Sequence, residues 1–141
     1  MISMKPPRLL TFGLIAGMLV LAGCRTAAVR NVQDQPFAAA ASSRAPALGT
    51  VEKAIIRAGA NRGWVFNREA PGHLIGNINV RGKHFAEIDV FFDREQFSIL
   101  HKSSRNLNYD PAANVIHPNY NSWVTLLEQD VQKEIQLART R

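Results

Sequence analysis

The chain has 141 residues, a formal net charge of +6 and a single cysteine, with 46% of its residues hydrophobic. That length leaves room for one small folded unit with short appendages, and the apolar content is enough for a core. One thiol excludes an internal disulfide and any site built from paired cysteines.

The first 23 residues divide into a charged start, an apolar run and a small-residue end. Lys5 and Arg8 make the start positive, and Leu9 to Ala22 is uncharged and rich in Leu, Ile, Val and Met. A spanning helix needs about 20 apolar residues, so this run is short for a span and suits an export signal. Leu21-Ala22-Gly23-Cys24 closes it with small residues before the only cysteine. This pattern resembles the lipobox of bacterial lipoproteins. The resemblance implies diacylglyceryl on Cys24, cleavage before it, and acylation of the new amino group. Two or more acyl chains hold a protein firmly on a bilayer, whereas one binds marginally. Arg25, rather than Asp, follows the cysteine. For such lipoproteins this implies the outer membrane, on its periplasmic face. The inner membrane's periplasmic face and the cell surface are the alternatives.

Two of the 17 basic residues and none of the 11 acidic ones precede Cys24, so the remaining 118 residues carry net +4. Nucleic acid is not expected as a partner of an exported, membrane-anchored chain. A mild positive charge suits anionic headgroups or cell-wall polymers through weak, salt-screened attraction.

Residues 24–47 read as the lipidated cysteine and a flexible tether. Ala38-Ala39-Ala40-Ala41-Ser42-Ser43 is low in complexity and has little to bury against its ordering entropy. Val29 to Phe37 is less biased and can lie on the domain as an edge strand ended by Pro36. The folded unit is expected over residues 48–141.

Thr50 is placed to cap a first helix with apolar positions Val51, Ala54, Ile55 and Ala58. Gly59, Asn61 and Gly63 suit its exit. Trp64 to Arg68 has strand composition, with Trp64 as a core anchor, and Pro71-Gly72 marks a turn. His73 to Val80 and His84 to Phe92 alternate apolar and polar residues around the tight connection Arg81-Gly82-Lys83. A fourth strand carries Phe97, Ile99 and His101 on one face and ends near Ser104. A polar connection over 106–118 leads to a last helix over 119–138. Its apolar stripe is Tyr120, Val124, Leu127, Val131, Ile135 and Ala138, and Asn119 or Asn121 caps it. The expected fold is α+β: two layers, a four-stranded antiparallel meander with both helices on one face.

Candidate binding residues cluster after the fourth strand: Ser104, Asn106, Tyr109, His117, Tyr120, Asn121 and Trp123. Amides, hydroxyls and aromatics in a loop suit a sugar or peptide. Tyr109, Ile116 and Trp123 are expected to fasten that loop onto the domain as packing residues rather than as a ligand platform. The four histidines, His73, His84, His101 and His117, have no metal-ligand spacing, so no metal and no cofactor are expected. His117 with Ser104 and Asp110 lacks a nucleophile-elbow sequence, so no catalytic residue is assigned. Glu87 and Asp89 alternate outward and suit pairing with a basic neighbour.

The segments from Ala54-Ile55 to Gly63-Trp64, from Ser104 to Tyr109, and from Ile116 to Val124 resemble small envelope lipoproteins of proteobacteria. The resemblance spans about residues 48–138 and brings no catalytic residues with it. It implies envelope location and one compact domain. The expected function is non-enzymatic binding or support of an envelope protein or cell-wall glycan. The alternative is a small envelope hydrolase or glycan-processing enzyme using Ser104, Tyr109 and His117.

Overall fold

A computed structural model of the protein describes residues 25–38 and 44–140. The apolar amino-terminal run and Cys24 lie outside the described residues. In chain order the elements are β1 (Ala27–Ala28), β2 (Val32–Pro36), α1 (Leu48–Ala60), β3 (Trp64–Ala70), β4 (His73–Val80), β5 (His84–Phe92), β6 (Gln96–Arg105), β7 (Val115–Ile116) and α2 (Pro118–Arg139). The class is α+β, but the main sheet has five strands rather than four, in the order β2-β6-β5-β4-β3. All its pairings are antiparallel.

The extra strand lies in Val29 to Phe37, the part of the tether range read as able to lie on the domain as an edge strand ended by Pro36. β2 pairs with the outer edge of β6, matching Val32 with Ile99 and Gln35 with Phe97. β1 pairs separately with β7. Two side chains hold the segment to the core: Val32 is 5% and Phe37 6% exposed. The Phe37 ring stacks on Phe97 at 5.4 Å between centroids. The Arg30 guanidinium pairs with Glu128, and Asn121 both accepts from the Arg30 N–H and donates to the Ala28 carbonyl. Residues 25–38 therefore lie against the domain, and tether composition within them did not prevent ordering. The long-range strand pairing and two buried side chains outweigh the ordering entropy of a polar segment.

Inside, the sheet presents Trp64, Leu74, Ile78, Ala86, Ile88, Val90, Phe92, Phe97 and Ile99. These form one cluster with Val51, Ala54, Ile55 and Ala58 of α1 and the stripe Tyr120, Val124, Leu127, Val131 and Ile135 of α2. Arg57 of α1 pairs with Glu134 of α2, and Arg62, just past the end of α1, pairs with Asp130 along the same exposed seam. Such exposed pairs contribute little against solvent and salt screening, so burial carries the packing.

Helix starts differ from the expected caps. α1 begins at Leu48 after Ala47, which makes no side-chain cap bond, and Thr50 lies within the helix. At α2 the cap is His117, whose Nδ1 accepts from the Asn119 N–H, with Pro118 in the first turn. Asn121 is thereby free to hold the amino-terminal segment. The exit from α1 is left-handed at Gly63, with φ +82°. Gly59 does something else: it lies inside α1 against the Phe66 ring. A Cβ at Gly59 would meet Phe66 Cε2 at 2.1 Å, and one at Gly76 would meet Phe66 Cε1 at 2.5 Å. The Phe66 ring is thus sandwiched between two glycine backbones, and that sets the distance between α1 and the sheet.

Candidate functional site

Two arrangements of polar and aromatic groups stand out, one beneath the sheet's carboxyl-terminal corner and one on its open face.

The first gathers around His101. In a regular strand, residues three apart point to opposite faces. A bulge in β6 changes this: Ile88 pairs with His101, Glu87 with Ser103 and Ala86 with Ser104, leaving Lys102 as the extra residue. His101 and Ser104 consequently share the inner face. His101 Nε2 lies 3.1 Å from Ser104 Oγ, and its backbone N–H donates to Asn31 Oδ1. The imidazole packs against the Tyr109 ring at 4.3 Å, tilted by 44°, and meets the Tyr120 ring edge-on at 5.2 Å. Tyr120 is fully buried, and its hydroxyl has no partner among the described residues. Burial raises its pKa well above the ordinary tyrosine value, with Tyr109 adding to the shift. Burial also lowers the His101 pKa, which favours the neutral imidazole.

The structure brings Ser104, Tyr109 and Tyr120 together through His101, not through His117. His117 is the α2 cap, and its N–H donates to the Leu107 carbonyl at 2.7 Å. Asn106, with φ 58°, donates to the Lys83 carbonyl and accepts from His84 through its own carbonyl. It ties the loop to the β4–β5 connection. Trp123 is half-buried and packs against the core. Of the three residues suited to fastening the 106–118 connection, Ile116 is fully buried, while Tyr109 stays 38% exposed. Leu107, 2% exposed, is the other apolar residue of the connection that the core takes up. No carboxylate among the described residues contacts the His101 ring, so the group that would orient an imidazole as a base is not in place. The cluster's chemistry is that of packed, mostly satisfied polar groups.

A pH effect follows from it. Because the folded His101 pKa lies below the ordinary value, the unfolded chain takes up this proton first as pH falls. Its stabilising effect is present above about pH 6.5 and is lost as pH falls below that, down to the folded pKa. The unfolding midpoint should fall between pH 7 and pH 5, and the fall should be smaller in His101→Gln. An identical pH profile in that variant would show that another group sets it.

The second arrangement is on the solvent face of the sheet, which neither helix covers. A groove of about 390 Å³ there is lined by residues that include Val65, Asn77, Asn79, Phe85, Glu87, Ser103 and Arg105. Antiparallel pairing brings these together: Val65 is opposite Asn77, Asn79 opposite Phe85, and Phe85 opposite Arg105. The Arg105 guanidinium sits over the Phe85 ring at 4.2 Å and makes no ion pair among the described residues. Further along the same face, Asp89 accepts from His73 Nε2 at 2.7 Å and from Lys102 Nζ at 3.4 Å. The His73 ring stacks on Phe91. Glu87 and Asp89 point outward as expected, and Asp89 has its basic partner. Val65 is 65% and Phe91 43% exposed, so apolar surface reaches solvent on this face.

Sequence reasoning singled out Ser104 and Asn106 but not Arg105 between them, nor Asn77, Asn79 and Phe85. The available signal was the polar half of the β4 and β5 alternation, whose amides and acids recur at every second residue. Among the described residues, no group of three or more His, Cys, Asp or Glu side chains is arranged to hold a metal ion. No helix among them is long and apolar enough to cross a membrane. No family model, curated protein or solved structure matches the chain.

Proposed function

We propose that this protein is a lipid-anchored periplasmic domain that binds an envelope component, without catalysing a reaction, through the groove on its open sheet face. The supporting observation is Arg105. Its guanidinium is stacked on Phe85, free of ion pairs among the described residues, and beside the amides of Asn77 and Asn79 and the hydroxyl of Ser103. A stacked guanidinium keeps its fork of donors oriented for a carboxylate or phosphate. Amides and a hydroxyl nearby suit sugar hydroxyls and peptide groups. Cell-wall glycan with carboxylate-bearing peptide stems has this combination of groups.

The groove and the anchor are tested separately. Soluble cell-wall fragments titrated into the mature protein should shift the backbone amide resonances of Asn77, Asn79 and Ser103. Arg105→Ala should weaken that binding by roughly tenfold or more, the scale of a lost charge-assisted hydrogen bond, with no change in the unfolding midpoint. Absence of any shift at millimolar fragment would overturn the glycan reading. For the anchor, the mature mass should show acyl groups on Cys24. Cys24→Ser should leave uncleaved precursor or released protein. Normal membrane retention and an unchanged mature mass for Cys24→Ser would overturn the lipoprotein reading.

A further inference from the structure

We infer that the domain docks onto an anionic phospholipid surface with one particular end of its sheet, the end at which the chain enters. This rests on the lipoprotein reading of Cys24.

The first observation is the length of chain between the anchor and the fold. Ala27 is already paired with Ile116, and Val29 donates to the Asn114 carbonyl at 3.0 Å. Only Arg25 and Thr26 separate Cys24 from Ala27, and the three steps reach at most about 11 Å when fully extended. With acyl chains in the bilayer, β1 and β7 cannot leave the headgroup region. β7 follows the loop that emerges from the end of β6, and β2 runs antiparallel to β6 from the same side. The end of the sheet formed by the finish of β6, the β4–β5 connection and the start of β3 therefore lies toward the membrane.

The second observation is charge. At this end the connections carry Arg62, Arg81 and Lys83, and β6 finishes at Arg105. Arg62 is paired with Asp130, and the carboxylate of the adjoining loop is Asp110. Arg81 and Lys83 are exposed and make no ion pair among the described residues. At the opposite end, Glu69, Asp93 and Glu95 stand with Arg44, Arg68, Arg94 and Arg139, so acidic and basic side chains offset one another there. The eight residues of β4 place the two ends about 25 Å apart. An anionic surface attracts the first end, with its unpaired Arg81 and Lys83, more than the second, and the attraction fades within a Debye length of about 8–10 Å. A short leash and an oriented charge distribution select the same end. This orientation stands the sheet's open face beside the membrane rather than beneath the domain.

The loop after β6 makes the inference measurable. From Asn106 to Leu127 the only charged side chain is Asp110 and the only imidazole is His117, so this part meets headgroups at low desolvation cost. Once acylated, Cys24 has no free thiol, so a cysteine introduced elsewhere can be labelled alone. The experiment uses full-length mature protein, its acylation confirmed by intact mass, in vesicles of phosphatidylcholine with phosphatidylglycerol. A dye on Ala113→Cys, in the loop, should be quenched several-fold more by headgroup-spin-labelled lipid than the same dye on Ala70→Cys, at the far end. Arg81→Asn with Lys83→Gln removes two charges; Asn is chosen because φ at Arg81 is 57° and Asn tolerates that conformation. The docking equilibrium should shift by roughly 30-fold, and the difference between the two dyes should collapse, as it should in phosphatidylcholine alone. Equal quenching of the two dyes, stronger quenching at position 70, or no response to the double substitution would overturn the inference. A mature mass without acyl groups would overturn the lipoprotein reading and this inference with it. Acylated protein with equal quenching would overturn the inference alone.

Discussion

A chain that begins at Leu48 should be far less stable than one that keeps residues 25–38. The amino-terminal segment contributes two buried apolar side chains and the strand that covers β6. Phe37 stacks on Phe97, which is 1% exposed, and Val32 lies opposite Ile99, which is fully buried. Truncating a core phenylalanine to alanine costs about 3–5 kcal/mol, against a total of about 5–15 kcal/mol for an ordinary domain. Phe37→Ala alone should therefore lower the chemical-denaturation midpoint clearly. The shortened chain loses Val32 as well and exposes the β6 edge, a template for pairing with other chains. It should unfold earlier and self-associate. The check is a urea titration of three proteins, the mature chain, Phe37→Ala and the chain from Leu48, with light scattering alongside. Equal midpoints would show that residues 25–38 ride on the domain without supporting it.

That prediction depends on the part of the fold that was hardest to read in the sequence. The β4–β5 hairpin was legible because inner apolar residues recur at every second position, Leu74 to Ile78 and Ala86 to Phe92, around Arg81-Gly82-Lys83, and the two strands fall at the expected bounds. The α2 stripe was legible because Tyr120, Val124, Leu127, Val131 and Ile135 keep one helical face, and all five are buried. β2 has no such pattern. Its residues Val32-Gln33-Asp34-Gln35-Pro36 carry one large apolar side chain, and its partner β6 lies more than sixty residues away. A bulge with Asp34 at φ 46° interrupts even that pairing. Edge strands are specified by the neighbour that they cover more than by their own alternation.

The candidate site was legible in pieces for a related reason. Ser104 and Asn106 stood out in a polar, aromatic stretch, but their partners are strand residues. Ser104 meets His101 only because the extra residue at Lys102 turns both to one face. The groove draws on four strands, and each contributes ordinary solvent-side polar residues. What distinguishes Asn77, Asn79, Phe85 and Arg105 is that the register sets them side by side, and register is a property of pairing rather than of any one segment. His117 drew attention as a reactive group and serves as a helix cap instead, one of the commonest local uses of a polar side chain before Pro.

The remaining large effect is at Tyr120, where two substitutions should move stability in opposite directions. The side chain is fully buried at the start of α2, edge-on to His101, in the cluster that closes the core beneath the 106–116 loop. Tyr120→Ala removes the whole ring and should cost about 3–5 kcal/mol, as for other buried aromatics. Tyr120→Phe removes only the hydroxyl, which has no hydrogen-bond partner among the described residues. Leaving such a group buried and unpaired costs about 1–3 kcal/mol, so the phenylalanine should be the more stable protein by on the order of 1 kcal/mol. In a domain of this size that is roughly 4–8 °C in Tm. Burial keeps the hydroxyl protonated well beyond the ordinary tyrosine range, so the gain should not vary between pH 6 and pH 9. Thermal unfolding of the three proteins across that range is the measurement. A loss of stability in Tyr120→Phe would mean that the hydroxyl has a partner after all. A buried water between Tyr120, Tyr109 and His101 would be the first to look for, and the same cluster would then have a polar network at its centre rather than a packed ring.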